Sequence, residues 1–368
     1  MATITKTIGT SSRDYSTISA WEADLDSSAM MGGPYSSGDD AIGEVYNDSV
    51  FNERVVIDGG GSIGLNSVKL TAPSSERHDG TAGTGARIQY SGSTNPSVVL
   101  KRDDVTFEFI ELDLSNAGSG VHSSINIGAN ADTNVFIQNN LIHSLHEQGG
   151  AVHGIYVWNS GSASNTRYIT NNVIYDIKDS NDDAYGIRVI SSNWPVEILN
   201  NTIYHIQTSS DTCSSVFIDD SDATVKNNIA ARVTGTPSDC FSGSAFSSST
   251  HDYNLSTDTT ATGTNSVDSV TYTDLFVSTA EGDEDLHLKS GSDAIGVGVD
   301  LGTTPTGVNV DINGRDRDSN EDTWDIGAHQ FVAAGGGGGG GGGNVSALAR
   351  PLAFATAKPV ARRVSDAR

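Results

Sequence analysis

The chain is short of cations, of cysteine and of long apolar runs. Lys and Arg number 21 against 46 Asp and Glu, a net charge of −25 over 368 residues. A surface that acidic repels nucleic acid and anionic lipid, so neither is an expected partner. No stretch approaches the roughly 18 apolar residues that span a bilayer, and the opening MATITKTIGTSS lacks the apolar segment of a secretory leader. No phosphate-binding GxxxxGK loop, HExxH, CxxC or GxSxG pattern occurs. Nucleotide, zinc and serine-hydrolase chemistry therefore have no local support, and neither cofactor nor metal is expected. Hydrophobic residues make up 36% and charged residues 18%, a mixture unsuited to helix bundles. The 41 glycines, with many Ser, Thr, Asn and Asp, suit short strands joined by frequent turns in a soluble all-β protein.

What is present is a repeat. Asn pairs occur at Asn139-Asn140, Asn171-Asn172, Asn200-Asn201 and Asn227-Asn228, spaced 32, 29 and 27 residues. NVFIQNNLIHSL, RYITNNVIYDI and VEILNNTIYHI align without gaps, TVKNNIAARV is a weaker copy, and VTFEFIELDL from Val105 is an earlier copy without the asparagines. A second strand-like segment follows each pair, starting at Gly154, Gly186 and Ser215 with the same 32 and 29 spacing. Apolar residues alternate over a few positions and then break, which is strand periodicity. A unit of this length cannot bury its own apolar face and must stack on its neighbours. The expected fold is a single-stranded right-handed parallel β-helix, with loops of different length at one corner. The asparagines read best as structural: Asn tolerates the left-handed corner conformation, and stacked Asn140, Asn172, Asn201 and Asn228 can hydrogen-bond along the axis. A ligand-binding role is the alternative.

Residues 14–26 read as a short amphipathic helix, capped by Ser16 or Thr17, with Ile18, Trp21 and Leu25 on one face. It would cover the open end of the solenoid. The domain reading is 1–40 N-terminal cap, 41–331 parallel β-helix, 332–343 polyglycine linker and 344–368 basic tail. The tail holds Arg350, Lys358, Arg362, Arg363 and Arg368 against Asp366, so it carries +5 − 1 = +4 and the rest of the chain −25 − 4 = −29. A flexible basic tail behind nine glycines is a candidate docking peptide, and a disordered tail without a partner is the alternative. Asp316, Asp318, Asn320 and Asp322 alternate like a calcium loop. Glu321 stands where the sharp-turn glycine belongs and Gly327 where the bidentate Glu belongs, so a closing turn with Arg315 and Arg317 paired to the acids is the preferred reading. Cys213 and Cys240 each lie twelve residues after the second Asn of their repeat. They are expected at equivalent positions in adjacent coils, close enough for a disulfide.

Glycan hydrolysis needs two carboxylates roughly 5 to 10 Å apart. The candidates are the pairs Asp182-Asp183 and Asp219-Asp220, with His153 and His205 as proton carriers. Asp39-Asp40 and Asp103-Asp104 show that such pairs also arise by chance. Tyr156, Trp158, Tyr175, Tyr185, Trp194 and Tyr204 could stack on sugars or serve as ordinary core.

The NNxIYxI repeats, YNLS at 253–256, DLHLKSGSDAIGVG at 285–298 and DINGRDRDSNEDTWDIGAHQF at 311–331 resemble right-handed parallel β-helix proteins of the pectate-lyase-like superfamily. Within it they resemble environmental and phage-encoded members that end in a DIGA-type motif. TKTIGTSSRDYSTISAWEAD resembles the N-terminal cap of such phage-encoded proteins. The acid that usually follows DIGA is replaced by His329-Gln330. The resemblance implies a virion surface component (capsid decoration, fibre or spike), made in the host cytoplasm and docked through its tail on other virion proteins. A glycan-binding or glycan-depolymerising spike acting on a host surface glycan is the alternative. Spikes of this fold are often homo-oligomers.

Overall fold

A computed structural model describes residues 2–127, 134–147, 149–158, 165–190, 194–209, 211–219, 223–319 and 323–333. The five tail cations, Asp220, Asn320, Glu321 and Asp322 lie outside the described residues. Met1–Phe331 form one compact unit.

That unit is a parallel β-solenoid of about 7 turns, of the right-handed type that β-crossover-β connections strongly favour. Each coil lays one strand on each of three sheets. In the fourth coil these are Val135–Gln138, Leu141–Glu147 and Val152–Val157. In the fifth they are Arg167–Thr170, Val173–Asp179 and Ala184–Val189. In the sixth they are Val196–Leu199, Thr202–Thr208 and Cys213–Ile218, and in the seventh Ala223–Lys226, Ile229–Thr234 and Ser238–Ser242. All pairing between coils is parallel, so like residues stack. Ile142, Ile174 and Ile203 stack inside the second sheet, and Ile155, Ile187 and Val216 inside the third. All six are fully buried.

The corner between the first and second sheets is the Asn pair. Asn139, Asn171, Asn200 and Asn227 have φ of 56, 57, 56 and 58°, a left-handed backbone that Asn adopts at low cost. The second asparagines point inward and form a ladder. Asn140 Nδ2 donates to Asn172 Oδ1, Asn172 to Asn201 and Asn201 to Asn228, at 3.1, 3.0 and 3.0 Å. Each Oδ1 also accepts the main-chain N–H of the Asn in the coil before it. Asn254, in the YNLS segment, adds a fifth rung at 3.0 Å.

Helix α1 (Ile18–Asp24) covers the N-terminal end. Thr17 caps it by accepting Ala20 N–H, and Ile18, Trp21 and Leu25 are fully buried. Trp21 lies flat over Gly43, where a Cβ would come within 2.8 Å of the indole. A strand, Thr3–Ile8, precedes the helix and pairs with Asp40–Val45 as a first half-coil, so the cap is part sheet.

Two expectations need correction. Coil strands end at Ser256, not near 331. Residues 257–331 form a strap that turns back over the second sheet and its Asn corner. Its apolar side (Leu275, Phe276, Leu288, Ile312, Ile326) packs on outward-facing Leu141, Val173, Tyr175, Tyr204 and Ile229. The first asparagines clamp its main chain: Asn139 donates to Val310 O and Asp311 O, Asn171 to Gly307 O, Asn200 to Val308 O and Asn227 to Val299 O. Gly327 of the DIGA segment, at φ 100°, sits where a Cβ would meet Ile229 at 2.6 Å.

The second correction is the cysteine register. Second-sheet strands follow the Asn spacing, with Thr202 opposite Ile229. On the third sheet Cys213 lies opposite Ser238, a shift of 25 residues rather than 27. The path from the second sheet to the third is two residues shorter in the seventh coil, so Cys240 slides two places along. Strand geometry then puts the two Cα atoms about 8 Å apart, beyond the reach of a disulfide. Both thiols are free and buried, and burial pushes each up to about 12.

Candidate functional site

Of the carboxylates singled out from sequence, the described ones, Asp182-Asp183 and Asp219, are not brought together. Asp182 and Asp183 precede the third-sheet strand Ala184–Val189, whereas Asp219 follows the third-sheet strand of the next coil. The strand rise puts about 20 Å between them, too far for paired carboxyl chemistry. Each serves a turn. Asp182 accepts Asp183 N–H, Asp183 accepts Thr212 N–H and Tyr185 O–H, and Asp219 accepts the Ser244 hydroxyl.

His153 is not placed as a proton carrier. It is stacked between Tyr156 at 4.3 Å and Tyr185 at 5.6 Å. Its Nδ1 donates to His122 O, and its Nε2 faces an Arg188 guanidinium N–H at 3.2 Å. Burial and the Arg188 charge lower its pKa to about 3, so it is neutral with its lone pair engaged. Of the six aromatics, Tyr175, Tyr185, Trp194 and Tyr204 are at most 4% exposed. Tyr156 is half-buried and Trp158 is 52% exposed, so these two alone present ring surface.

The DIGA region is a closure. Arg317 is fully buried, and its guanidinium donates to Gly327 O at 2.8 Å, Asn171 Oδ1 at 3.2 Å and Gln330 Oε1 at 3.3 Å. Its hydrogen bonds thus tie the strap to itself and to the coil corner. Asp318 accepts the Trp324 indole N–H, and Asp316 accepts Asp318 N–H. Gln330 Oε1 accepts Asp325 N–H as well as an Arg317 N–H.

A further set of interacting titratable groups lies elsewhere. Midway along the second-sheet strands, Ser144, Asp176, His205 and Arg232 occupy equivalent places in four consecutive coils. Their φ values are 61, 58, 58 and 53°, and each is skipped by the pairing on either side of it. Four left-handed non-glycine residues in one column make a continuous bend, a costly backbone that tends to mark functional surfaces. The bend gathers side chains under the strap hairpin, Phe276–Ser278 with Asp285–Leu288. Asp176 receives His146 Nε2 at 2.7 Å and Lys178 Nζ at 2.7 Å. Lys178 also reaches Glu281 in the hairpin loop. Arg232 donates to the Tyr204 hydroxyl, which donates to Thr279 O of the hairpin. Beside this group is a cleft of about 390 Å³ lined by His143, Ser144, Tyr175, Asp176, Glu284 and Asp285, among others.

Burial raises the Asp176 pKa, but hydrogen bonds from His146 and Lys178 outweigh it and hold the carboxyl far below its usual range. Burial, then the charges of Arg232 and Lys178, lower His205 to about 4. Burial raises Glu284. Of this group, the sequence offers His205 as a proton carrier and Tyr175 and Tyr204 as stacking candidates. The bend is not legible there, because a strand pattern carries no mark of a mid-strand φ reversal.

Four histidines are held neutral by burial: His78 at about 4, His153 at about 3, His205 at about 4 and His329 at about 2. Their ordinary value is 6.5, so between these limits the unfolded chain binds more protons and stability falls as pH falls. Glu22, Glu197 and Glu284, raised by burial, oppose this nearer pH 4.5. Unfolding at pH 5.5 should therefore take up about two to four protons per chain, measurable by calorimetry in buffers of different ionisation enthalpy. Uptake near zero would contradict the buried neutral histidines.

No family model matches the chain, and no curated protein matches it.

Proposed function

We propose that the protein is a non-enzymatic virion surface component of the decoration, fibre or spike type, related to the pectate-lyase-like β-helix superfamily. Its basic tail docks it on an acidic partner. The observation that carries this reading is the charge division: +4 in residues 344–368, behind nine glycines, against −29 in the rest. The body supports it as a closed rod, with α1 over one end and the strap clamped along one side. Asp182, Asp183 and Asp219 support it too, since each is spent on a turn. Truncation after Phe331 should leave the body folded and abolish incorporation into assembled particles, followed by co-sedimentation. Normal incorporation would remove the docking role. A second reading, a glycan-binding or glycan-cleaving spike, is favoured by the cleft of about 390 Å³ that sets Tyr175 beside Asp176 and Glu284. Release of reducing ends from a polysaccharide by the protein would decide for it.

A further inference from the structure

We infer that Asp176, His205 and Glu281 form a divalent transition-metal site in which the Lys178 ammonium is the resident counter-ion. One donor atom from each of the three residues lies within 4.8 Å of the other two. Acidic clusters are common without a metal, and the group that sets this one apart is His205. Its side chain is 2% exposed. Its Nε2 is 3.2 Å from Gln207 Oε1, an acceptor, so the proton sits on Nε2 and Nδ1 is a bare lone pair. Nδ1 is buried without a hydrogen-bond partner and faces Asp176 Oδ1 at 3.6 Å. Two acceptors facing each other need a cation or a donor between them.

Lys178 supplies one positive charge, bridging Asp176 and Glu281. Its side chain is 20% exposed and that of Glu281 59%, so the stem can swing to solvent and the loop carboxylate can follow a smaller ion. The charge count favours exchange. Asp176, Glu281 and the cleft acids Asp283, Glu284 and Asp285 total −5, and Arg232 with Lys178 total +2, leaving −3. A divalent ion in place of the ammonium leaves −5 + 1 + 2 = −2. One imidazole and two carboxylates suit Zn²⁺ or Co²⁺ rather than the all-oxygen shell that Ca²⁺ prefers. Three protein donors leave a coordination place open, and the cleft that Asp176 lines has room for a water or a substrate oxygen there. The inference does not depend on the proposed virion role.

The test uses the full chain after chelator treatment, titrated with Zn²⁺ by calorimetry and with Co²⁺ by visible absorption. The expected result is one saturable ion per chain. Glu281→Gln, at an exposed position, and His205→Gln should each weaken binding at least tenfold. Lys178→Met should strengthen it at least tenfold, because the competing ammonium is gone. Circular dichroism checks that each variant is folded, and Glu281→Gln carries the test if His205→Gln is not. Absence of saturable binding in both the wild type and Lys178→Met would overturn the inference. So would Zn²⁺ affinity that Glu281→Gln leaves unchanged.

Discussion

Replacing Asn201 with Ala should cost about 3–5 kcal/mol, one of the two largest single-residue losses expected here. Asn201 is fully buried. Its Oδ1 accepts Asn172 N–H at 2.9 Å and Asn172 Nδ2 at 3.0 Å. Its Nδ2 donates to Ile169 O at 2.8 Å and to Asn228 Oδ1 at 3.0 Å. Truncation strands the Asn172 main-chain N–H in the core and takes a second donor from Ile169 O. The stranded donor costs about 1–3 kcal/mol, and the lost ladder bonds and the cavity add to it. The ladder spans coils that contact only their neighbours, so the damage is not spread over the rod. The shift of the denaturant midpoint at constant slope measures it. A loss below about 1 kcal/mol would mean that the ladder fills space without contributing the hydrogen bonding assigned to it.

The second large effect is expected at Arg317. Arg317→Met keeps most of the volume and removes the guanidinium donors to Gly327 O, Asn171 Oδ1 and Gln330 Oε1, of which Gln330 Oε1 alone keeps a second donor, the Asp325 N–H. Burial is the largest influence on this guanidinium and lowers its pKa to about 10. Leaving Gly327 O and Asn171 Oδ1 buried without this donor costs about 3–5 kcal/mol. The loss should fall on the strap, which this Arg helps to hold on the coils together with the four first asparagines, the Lys178–Glu281 and Tyr204–Thr279 contacts and one apolar face. Limited proteolysis should cut within residues 257–331 about 100-fold faster than in the parent, as a 3 kcal/mol local loss implies, while the coils stay protected. Equal acceleration across the coils would show that strap and solenoid open together. An unchanged cleavage pattern would show that Arg317 does not hold the strap.

These two residues also mark what could and could not be read from the amino-acid order. Asn201 was legible. A coil's rise is set by strand spacing, its corner needs a left-handed residue, and its interior needs a satisfied polar group, so all three requirements recur once per coil as a visible period. The cap was legible for the same local reason: Ile18, Trp21 and Leu25 share a helical face, and Thr17 precedes them. The first asparagines were read as corners, but their grip on the strap was not visible, because a hydrogen bond across 72 to 172 residues of chain leaves no spacing pattern.

Arg317 was read as a local partner of its neighbouring acids, and only the folded strap turned it inward. The cysteine register failed at a corner. Turn length there is free to vary between coils, and two residues more or less move every following side chain along the third sheet. The Asp176–His205–Glu281 group depended on still less local information: a bend inside a strand, and a hairpin loop folded back from 76 residues beyond His205. The period, the corner residues and the cap follow from near-neighbour backbone and burial requirements, and these the sequence determined by itself. The strap's reversal, the sliding of the third sheet and the meeting of distant titratable groups follow from complementarity between finished surfaces, which only the tertiary structure decides.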